Sequence, residues 1–203
     1  VTVVNVNDAP VLATVVAVSF AEDGVSDSVT LSATDADEDE LTFSIEGGTN
    51  ITATLDGNQL SFSAAPDFNG SESFTISVTD GEYTDTQILS VTVTPVNDPP
   101  VANEAAGTTN EDQSIVISLS GTDIDGDNLT FSLGSDPANG TATLDGSLAT
   151  YTPNTDFNGT DSFTFFASDG DLSDEATVSI TIDAVNDAPV LSSVGNITFA
   201  EDG

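Results

Sequence analysis

Ser73-Phe74-Thr75-Ile76-Ser77-Val78 and, further on, Leu89-Ser90-Val91-Thr92-Val93 set an apolar residue at every second position, with Ser or Thr between them. Successive side chains of a β-strand point to opposite faces, so this alternation buries one face and leaves the other in water. The pattern returns at Phe163, Phe165 and Ala167, and again at Val178, Ile180 and Ile182. No segment holds a helical period long enough to compete with it. Working outward, runs bounded by Gly, Asp, Asn and Pro place further strands. In the first half of the chain strands are expected at 15–20, 28–33, 41–45, 51–55, 59–63, 73–78 and 87–95. The fold class is all-β.

The chain also repeats itself. Asn7-Asp8-Ala9-Pro10 recurs as Asn97-Asp98-Pro99-Pro100 and as Asn186-Asp187-Ala188-Pro189, at spacings of 90 and 89 residues. Between these markers Glu22-Asp23 returns as Glu111-Asp112 and Glu201-Asp202, and Asp35-Ala36-Asp37 as Asp123-Ile124-Asp125. Asp67-Phe68-Asn69-Gly70 is matched by Asp156-Phe157-Asn158-Gly159, and Asp80-Gly81 by Asp169-Gly170. The organisation expected is a last strand of a preceding repeat at 1–7, full repeats at 8–97 and 98–186, and the first strand of a following repeat at 187–203. A repeat of this length with about seven short strands has the size of an immunoglobulin-like sandwich.

Composition narrows the function. The chain has 203 residues, 35 of them Asp or Glu, with no Lys, Arg or His, for a formal charge of −35. Side-chain salt bridges are therefore excluded. Two carboxylates about 4 Å apart repel by roughly 4 kcal/mol at an effective dielectric near 20. Clustered acids must find backbone N–H groups, open solvent or an external cation. Nucleic acid and anionic membranes, which proteins engage through Lys and Arg, are excluded as partners. With 37% hydrophobic residues and eleven Phe there is enough apolar surface for packed cores. Cysteine is absent, so a metal site here would be built from oxygen. No apolar run is long enough to span a membrane, so membrane insertion is not expected. Without an initiator Met or signal peptide, the chain reads as an internal piece of a longer protein.

The acids gather in loops. Asp35, Asp37 and Asp39 alternate with Ala36, Glu38 and Glu40, and Asp123, Asp125 and Asp127 form the matching group. Alternate Asp residues in a turn can aim carboxylates at one point, as a hard cation with six to eight oxygen ligands requires. The spacing is not that of an EF-hand, because the twelfth residue counted from Asp123 is Gly134 where a bidentate Glu is needed. Asn69-Gly70-Ser71 and Asn158-Gly159-Thr160 read as turns, not as glycosylation acceptors. Paired carboxylates could in principle serve a glycosidase, but they recur in every repeat with no Trp to stack on sugar.

Leu31-Ser32-Ala33-Thr34-Asp35-Ala36-Asp37 followed by Leu41-Thr42-Phe43 resembles the strand and Asp-x-Asp loop of a cadherin repeat, and Asn97-Asp98-Pro99-Pro100-Val101 resembles its inter-repeat linker. With Glu22 and Asp80 these motifs cover each repeat from end to end. The resemblance is to bacterial cadherin-like tandem repeats of large surface (RTX-type) adhesins. It implies tandem immunoglobulin-like or cadherin-like Greek-key β-sandwiches and Ca²⁺ held between consecutive repeats.

Carried over residue by residue, the resemblance assigns Glu22, Asn97, Asp98, Asp123, Asp125 and Asp169 to the junction inside this chain. It assigns Asp8, Asp35, Asp37 and Asp80 to the one before, and Glu111, Asn186 and Asp187 to the one after. The Asp-Arg-Glu motif of animal cadherins is missing. Pro66-Asp67-Phe68-Asn69-Gly70 occupies its place, and Asp67 and its counterpart Asp156 are secondary candidates. The acidic neighbours Asp23 and Asp112 compete with Glu22 and Glu111 for the ligand role.

The function implied is a calcium-binding extracellular extender at a bacterial cell surface, with adjacent repeats of the same chain as its partners and no catalysis. The alternatives are an adhesive module, binding like repeats or cell-surface glycans, and a spacer in a multidomain secreted enzyme.

Overall fold

The computed structural model describes residues 6–191 together with 195 and 201. The chain divides into two units, Val1–Asn97 and Asp98–Gly203. The flanking strands expected at 1–7 and 187–203 fall mainly outside the described residues, and 187–191 carry no strand. No helix occurs among the described residues.

In the first unit the strands are β1 (Val11–Leu12), β2 (Val18–Ala21), β3 (Val29–Thr30), β4 (Ala33–Thr34), β5 (Thr42–Gly47), β6 (Ile51–Asp56), β7 (Gln59–Ala64), β8 (Gly70–Thr79) and β9 (Thr84–Thr94). One sheet runs β2-β9-β8-β5, with β2 parallel to β9 and the other neighbours antiparallel. The opposing strands run β3-β7-β6, and β1 pairs with β4. Inward-facing residues of both layers meet in one core built on Leu31, Leu60, Phe62, Phe74, Ile76, Val78, Leu89 and Val91, all essentially buried. Phe62 and Phe74 pack edge to face with centroids 5.0 Å apart. Each large side chain buried this way stabilises by about 1.5–3 kcal/mol.

Two of the expected strands are broken. The segment expected at 28–33 splits into β3 and β4 around Leu31, whose N–H donates to the Asn58 carbonyl at 2.8 Å. The Leu31 carbonyl in turn accepts from Asn58 Nδ2 at 3.0 Å. The segment expected at 15–20 is β2, preceded by the short β1, so the first strand is shared between the two layers. Counting each broken strand once leaves about seven strands, the number typical of the sandwich. β8 begins at Gly70, three residues before its apolar alternation, because backbone pairing with β9 continues from Thr79↔Thr84 back to Gly70↔Val93 whatever the side chains.

The second unit repeats the design with β10 (Val101–Asn103), β11 (Ala105–Asn110), β12 (Ile115–Ser118), β13 (Ser120–Thr122), β14 (Thr130–Leu133), β15 (Gly140–Asp145), β16 (Leu148–Pro153), β17 (Gly159–Ser168) and β18 (Ser173–Asp183). Its sheets run β11-β18-β17-β14 and β12-β16-β15, with β10 paired to β13. Tyr151, Phe163, Phe165, Val178 and Ile180 hold its core.

Candidate metal centre

The β4–β5 loop carries the first acidic group. Asp35 Oδ1 accepts the backbone N–H of Asp37 at 2.8 Å and of Asp39 at 3.5 Å, closing the loop on its own first carboxylate. That closure follows from the residue type, since Asp readily bonds the backbone two residues on. Asp37 Oδ2 accepts the N–H of Asp8 at 2.7 Å, which ties the entering chain to the loop. Carboxylate oxygens of Asp35, Asp37 and Asp39 lie within 4.8 Å of one another. Asp35 Oδ2 is buried and has no hydrogen-bond partner. An ionised oxygen in that state is costly unless something cationic answers it.

The β13–β14 loop of the second unit is built the same way. Asp123 Oδ1 accepts from the N–H of Asp125 at 2.9 Å and of Asp127 at 3.3 Å, and Asp125 Oδ2 from the N–H of Asp98 at 2.8 Å. Asp123, Asp125 and Asp127 again bring oxygens within 4.8 Å, and Asp123 Oδ2 is again buried without a hydrogen-bond partner. The turns differ at one residue. Gly126 takes φ 81°, whereas the equivalent Glu38 takes φ 62° with a side chain in the left-handed region, at a cost of about 1–2 kcal/mol.

Asp80 and Asp169 sit in the turns after β8 and β17. Asp80 Oδ1 accepts the N–H groups of Glu82 and Tyr83, each at 2.7 Å, and its Oδ2 accepts from Asn7 Nδ2 at 3.0 Å. The Tyr83 N–H, above all, holds the Asp80 carboxyl below the ordinary carboxylate range. Asp169 likewise receives Asp171 and Leu172 at 2.7 Å. One oxygen of each is therefore engaged by its own turn.

Glu22 and Glu111 lie at the opposite end of their units and are buried. Glu22 Oε1 accepts the Val96 N–H at 2.5 Å and Oε2 accepts from Asn69 Nδ2 at 3.4 Å. Glu111 bonds the Val185 N–H with Oε1 and Asn158 Nδ2, at 3.4 Å, with Oε2. Each Glu thus ties the chain leaving its unit's last strand to the loop before β8 or β17. Beside Glu111, the carboxylates of Asp112, Asp156 and Asp187 come within 4.8 Å of one another. Asp187 is held above its ordinary pKa, first by the charge of Asp156, then by burial and by Glu111 and Asp112. Asn186 turns to its own linker, donating to the Asp187 carbonyl at 3.1 Å.

The residues assigned to the junction inside the chain belong to both units. Glu22 and Asn97 are in the first, and Asp98, Asp123, Asp125 and Asp169 in the second. Asp67 donates its N–H to Asp23 Oδ1 at 3.5 Å, and Asp156 to Asp112 Oδ1 at 3.2 Å. All four of these Asp residues have φ between 55° and 61°. Spacing alone underrates Asp112: it is the member of the Glu111-Asp112 pair whose carboxylate meets Asp156 and Asp187. The donors are all carboxylate oxygens, and two of them are orphaned and buried, so the residues present fit a hard divalent cation.

Residues 7–95 match the model of the bacterial cadherin-like domain, and residues 97–181 match that of the bacterial Ig domain. Each of the two units thus matches one of these domain models over most of its length. The cadherin-like unit and the Ig-like unit share one strand plan, and domains of these families are usually extracellular and typically non-catalytic. Cadherin-like domains generally bind calcium. Among solved structures the chain is similar to human protocadherin-24 EC1-2, at 20% identity over 90% of this chain and 100% of that one, with a TM-score of 0.59. That likeness concerns the fold. An endo-fucoidan hydrolase from glycoside hydrolase family 107 shares 24% identity over 87% of this chain, with a TM-score of 0.39. The chain spans 29% of that hydrolase's length. No curated protein matches the chain by sequence. No helix among the described residues is long and apolar enough to cross a membrane.

Proposed function

We propose that the chain is a calcium-binding extender segment of a large extracellular adhesin, in which cations taken up by the acidic ends of each unit turn a flexible string of sandwiches into a stiff one. The observation that carries this reading is the buried, partnerless oxygen of Asp35, repeated at Asp123, each within a group of three converging carboxylates. Asp8, Asp35, Asp37 and Asp39 would hold an ion in the cadherin-like unit, with Asp80 beside them. Asp98, Asp123, Asp125 and Asp127 would do so in the Ig-like unit, with Asp169 beside them. Asp112, Asp156 and Asp187 would serve the far end of the Ig-like unit, and Asp23 and Asp67 that of the cadherin-like unit. Glu22 and Glu111 bring charge to those ends from within. The cation supplies the positive charge that this composition denies to the protein itself.

Extracellular calcium modules bind at about 10⁻⁴ to 10⁻³ M, so the string would stiffen only outside a cell. Calorimetric titration of chelator-treated protein with Ca²⁺ tests the first half of the proposal, and heat with a defined stoichiometry is expected. Small-angle scattering with and without Ca²⁺ tests the second, with a larger and better-defined maximum dimension expected in calcium. No heat of binding, or a maximum dimension indifferent to calcium, would sink the corresponding half. A glycan array probed in calcium distinguishes the extender from an adhesive module, and specific glycan binding there would favour the module.

A further inference from the structure

Each unit carries an Asn-Gly pair at the same place, Asn69-Gly70 at the start of β8 and Asn158-Gly159 at the start of β17, and the Ig-like unit has another, Asn139-Gly140, at the start of β15. The glycines at the first two places are demanded by the backbone, with φ 144° at Gly70 and 134° at Gly159, conformations closed to most side chains. A glycine after Asn is also the residue that least hinders attack of its nitrogen on the Asn side chain. The local need for Gly therefore creates a chemically labile pair.

The surroundings separate the three. Asn69 and Asn158 are exposed. A Cβ built on Gly159 would meet only Phe157 Cζ, at 3.6 Å, and one on Gly70 only the Phe68 ring, at 3.3 Å and beyond. Asn139 is half-buried and held from several sides. Its N–H donates to Asp161 Oδ2 at 2.8 Å, and its carbonyl accepts from the Asn154 N–H at 2.8 Å and the Tyr151 hydroxyl at 3.4 Å. A Cβ on Gly140 would lie 2.6 Å from both the Thr152 carbonyl and the Tyr151 ring. The exposed side chains at the first two positions can swing onto the glycine nitrogen, whereas at the third the peptide is pinned on both sides.

We propose that Asn69 and Asn158 are sites of spontaneous deamidation, which place a new carboxylate beside buried Glu22 and Glu111. The glycine nitrogen attacks the Asn Cγ, a new N–Cγ bond forms, the Cγ–Nδ2 bond breaks, and ammonia leaves with the proton from the glycine nitrogen. Water then opens the succinimide at one of its two carbonyls, giving Asp or isoaspartate. The sum is one amide plus water to one carboxylic acid plus ammonia, and no enzyme or oxidant is needed. At both places the amide lost is the Nδ2 donor that reaches the Glu at 3.4 Å. A hydrogen bond becomes a repulsion, and the end that already crowds Asp112, Asp156 and Asp187 gains a further acid. The covalent chemistry is independent of metal; any gain in cation demand rests on the calcium reading above.

The test is peptide mapping by mass spectrometry of the whole chain aged in warm, mildly alkaline buffer with chelator, together with enzymatic methylation of isoaspartate. Working in chelator keeps the outcome separate from the fate of the calcium reading. Peptides containing Asn69 and Asn158 should acquire the amide-to-acid mass change severalfold faster than the peptide containing Asn139. In urea all three should react at similar rates. Asn69→Gln and Asn158→Gln should each abolish the change at its own position. Equal rates at the three positions in the folded chain would overturn the proposal. So would a lead for Asn139, or silence at Asn69 and Asn158 while the urea sample reacts.

Discussion

The two units solve one problem with different residues. In the cadherin-like unit Phe62 fills the centre of the core, and Glu72 on β8 reaches over the β5–β6 turn to accept the N–H groups of Thr49, Asn50 and Ile51 at 2.8–3.0 Å. In the Ig-like unit the equivalent residues are Tyr151 and Asp161. The shorter carboxylate takes the N–H groups of Ala138 and Asn139 at 3.1 and 2.8 Å, and accepts the tyrosine hydroxyl at 2.9 Å. The added hydroxyl and the removed methylene compensate each other. In a chain without Lys or Arg, structural carboxylates are answered by backbone amides, and this pair shows how the exchange is kept balanced.

The same comparison separates the two acids electrostatically. The Asn50 N–H is the main cause that lowers the Glu72 pKa, ahead of an opposing effect of burial. Burial would raise Asp161, but the N–H groups of Asn139 and Ser162 and the Tyr151 hydroxyl outweigh it, so Asp161 also ends below its ordinary value. Tyr151 is pushed well above the usual phenol range by burial and then by Asp161.

Removing Asp161 should break the comparison most. Asp161→Ala leaves a buried hydroxyl with only the Asn139 carbonyl at 3.4 Å, strips three amides of their acceptor and should cost about 3 kcal/mol, read as loss of hydrogen-exchange protection at Phe165. Glu72→Ala strips the amides of Thr49, Asn50 and Ile51 but touches no hydroxyl, and should cost about 1 kcal/mol at Ile76. Equal costs would show that the hydroxyl is not what sets Asp161 apart. Next in size, Phe62→Tyr brings a hydroxyl into a core with no place for it and should cost about 2 kcal/mol. The double change F62Y with E72D copies the other unit and should recover at least half of that. Tyr151→Phe leaves Asp161 its backbone donors and should cost about 1 kcal/mol.

The acid response should be smallest. Because both carboxyls sit below their unfolded values, their stabilisation is complete above the ordinary carboxylate range and is lost as pH falls through their lowered values. Glu72→Gln and Asp161→Asn should therefore flatten the loss of protection on acidification, each in its own unit. An unchanged pH profile would assign the acid sensitivity elsewhere.

Much of this was legible in residues read singly or in pairs. Phe74, Ile76 and Val78 with Leu89, Val91 and Val93 announce the central hairpin, because strand side chains alternate with a period of two. The charge balance excludes salt bridges without any coordinates. The breaks at Leu31 and in the first strand were not legible, since they depend on Asn58 and on which layer claims β1. Nor was the division of labour within Glu111-Asp112, where the longer side chain turns in to Val185 and the shorter meets Asp156 and Asp187.

Composition and spacing along one chain establish the repeat, the strand periodicity, the acidic loops and the lack of any side-chain cation to balance them. Only the tertiary structure decided which acids are occupied by backbone and which are left facing one another. Glu72 and Asp161 look no different from Asp35 and Asp123 as letters. The turn amides that Glu72 and Asp161 hold lie more than twenty residues away, whereas Asp35 and Asp123 close their own loops and leave one oxygen orphaned.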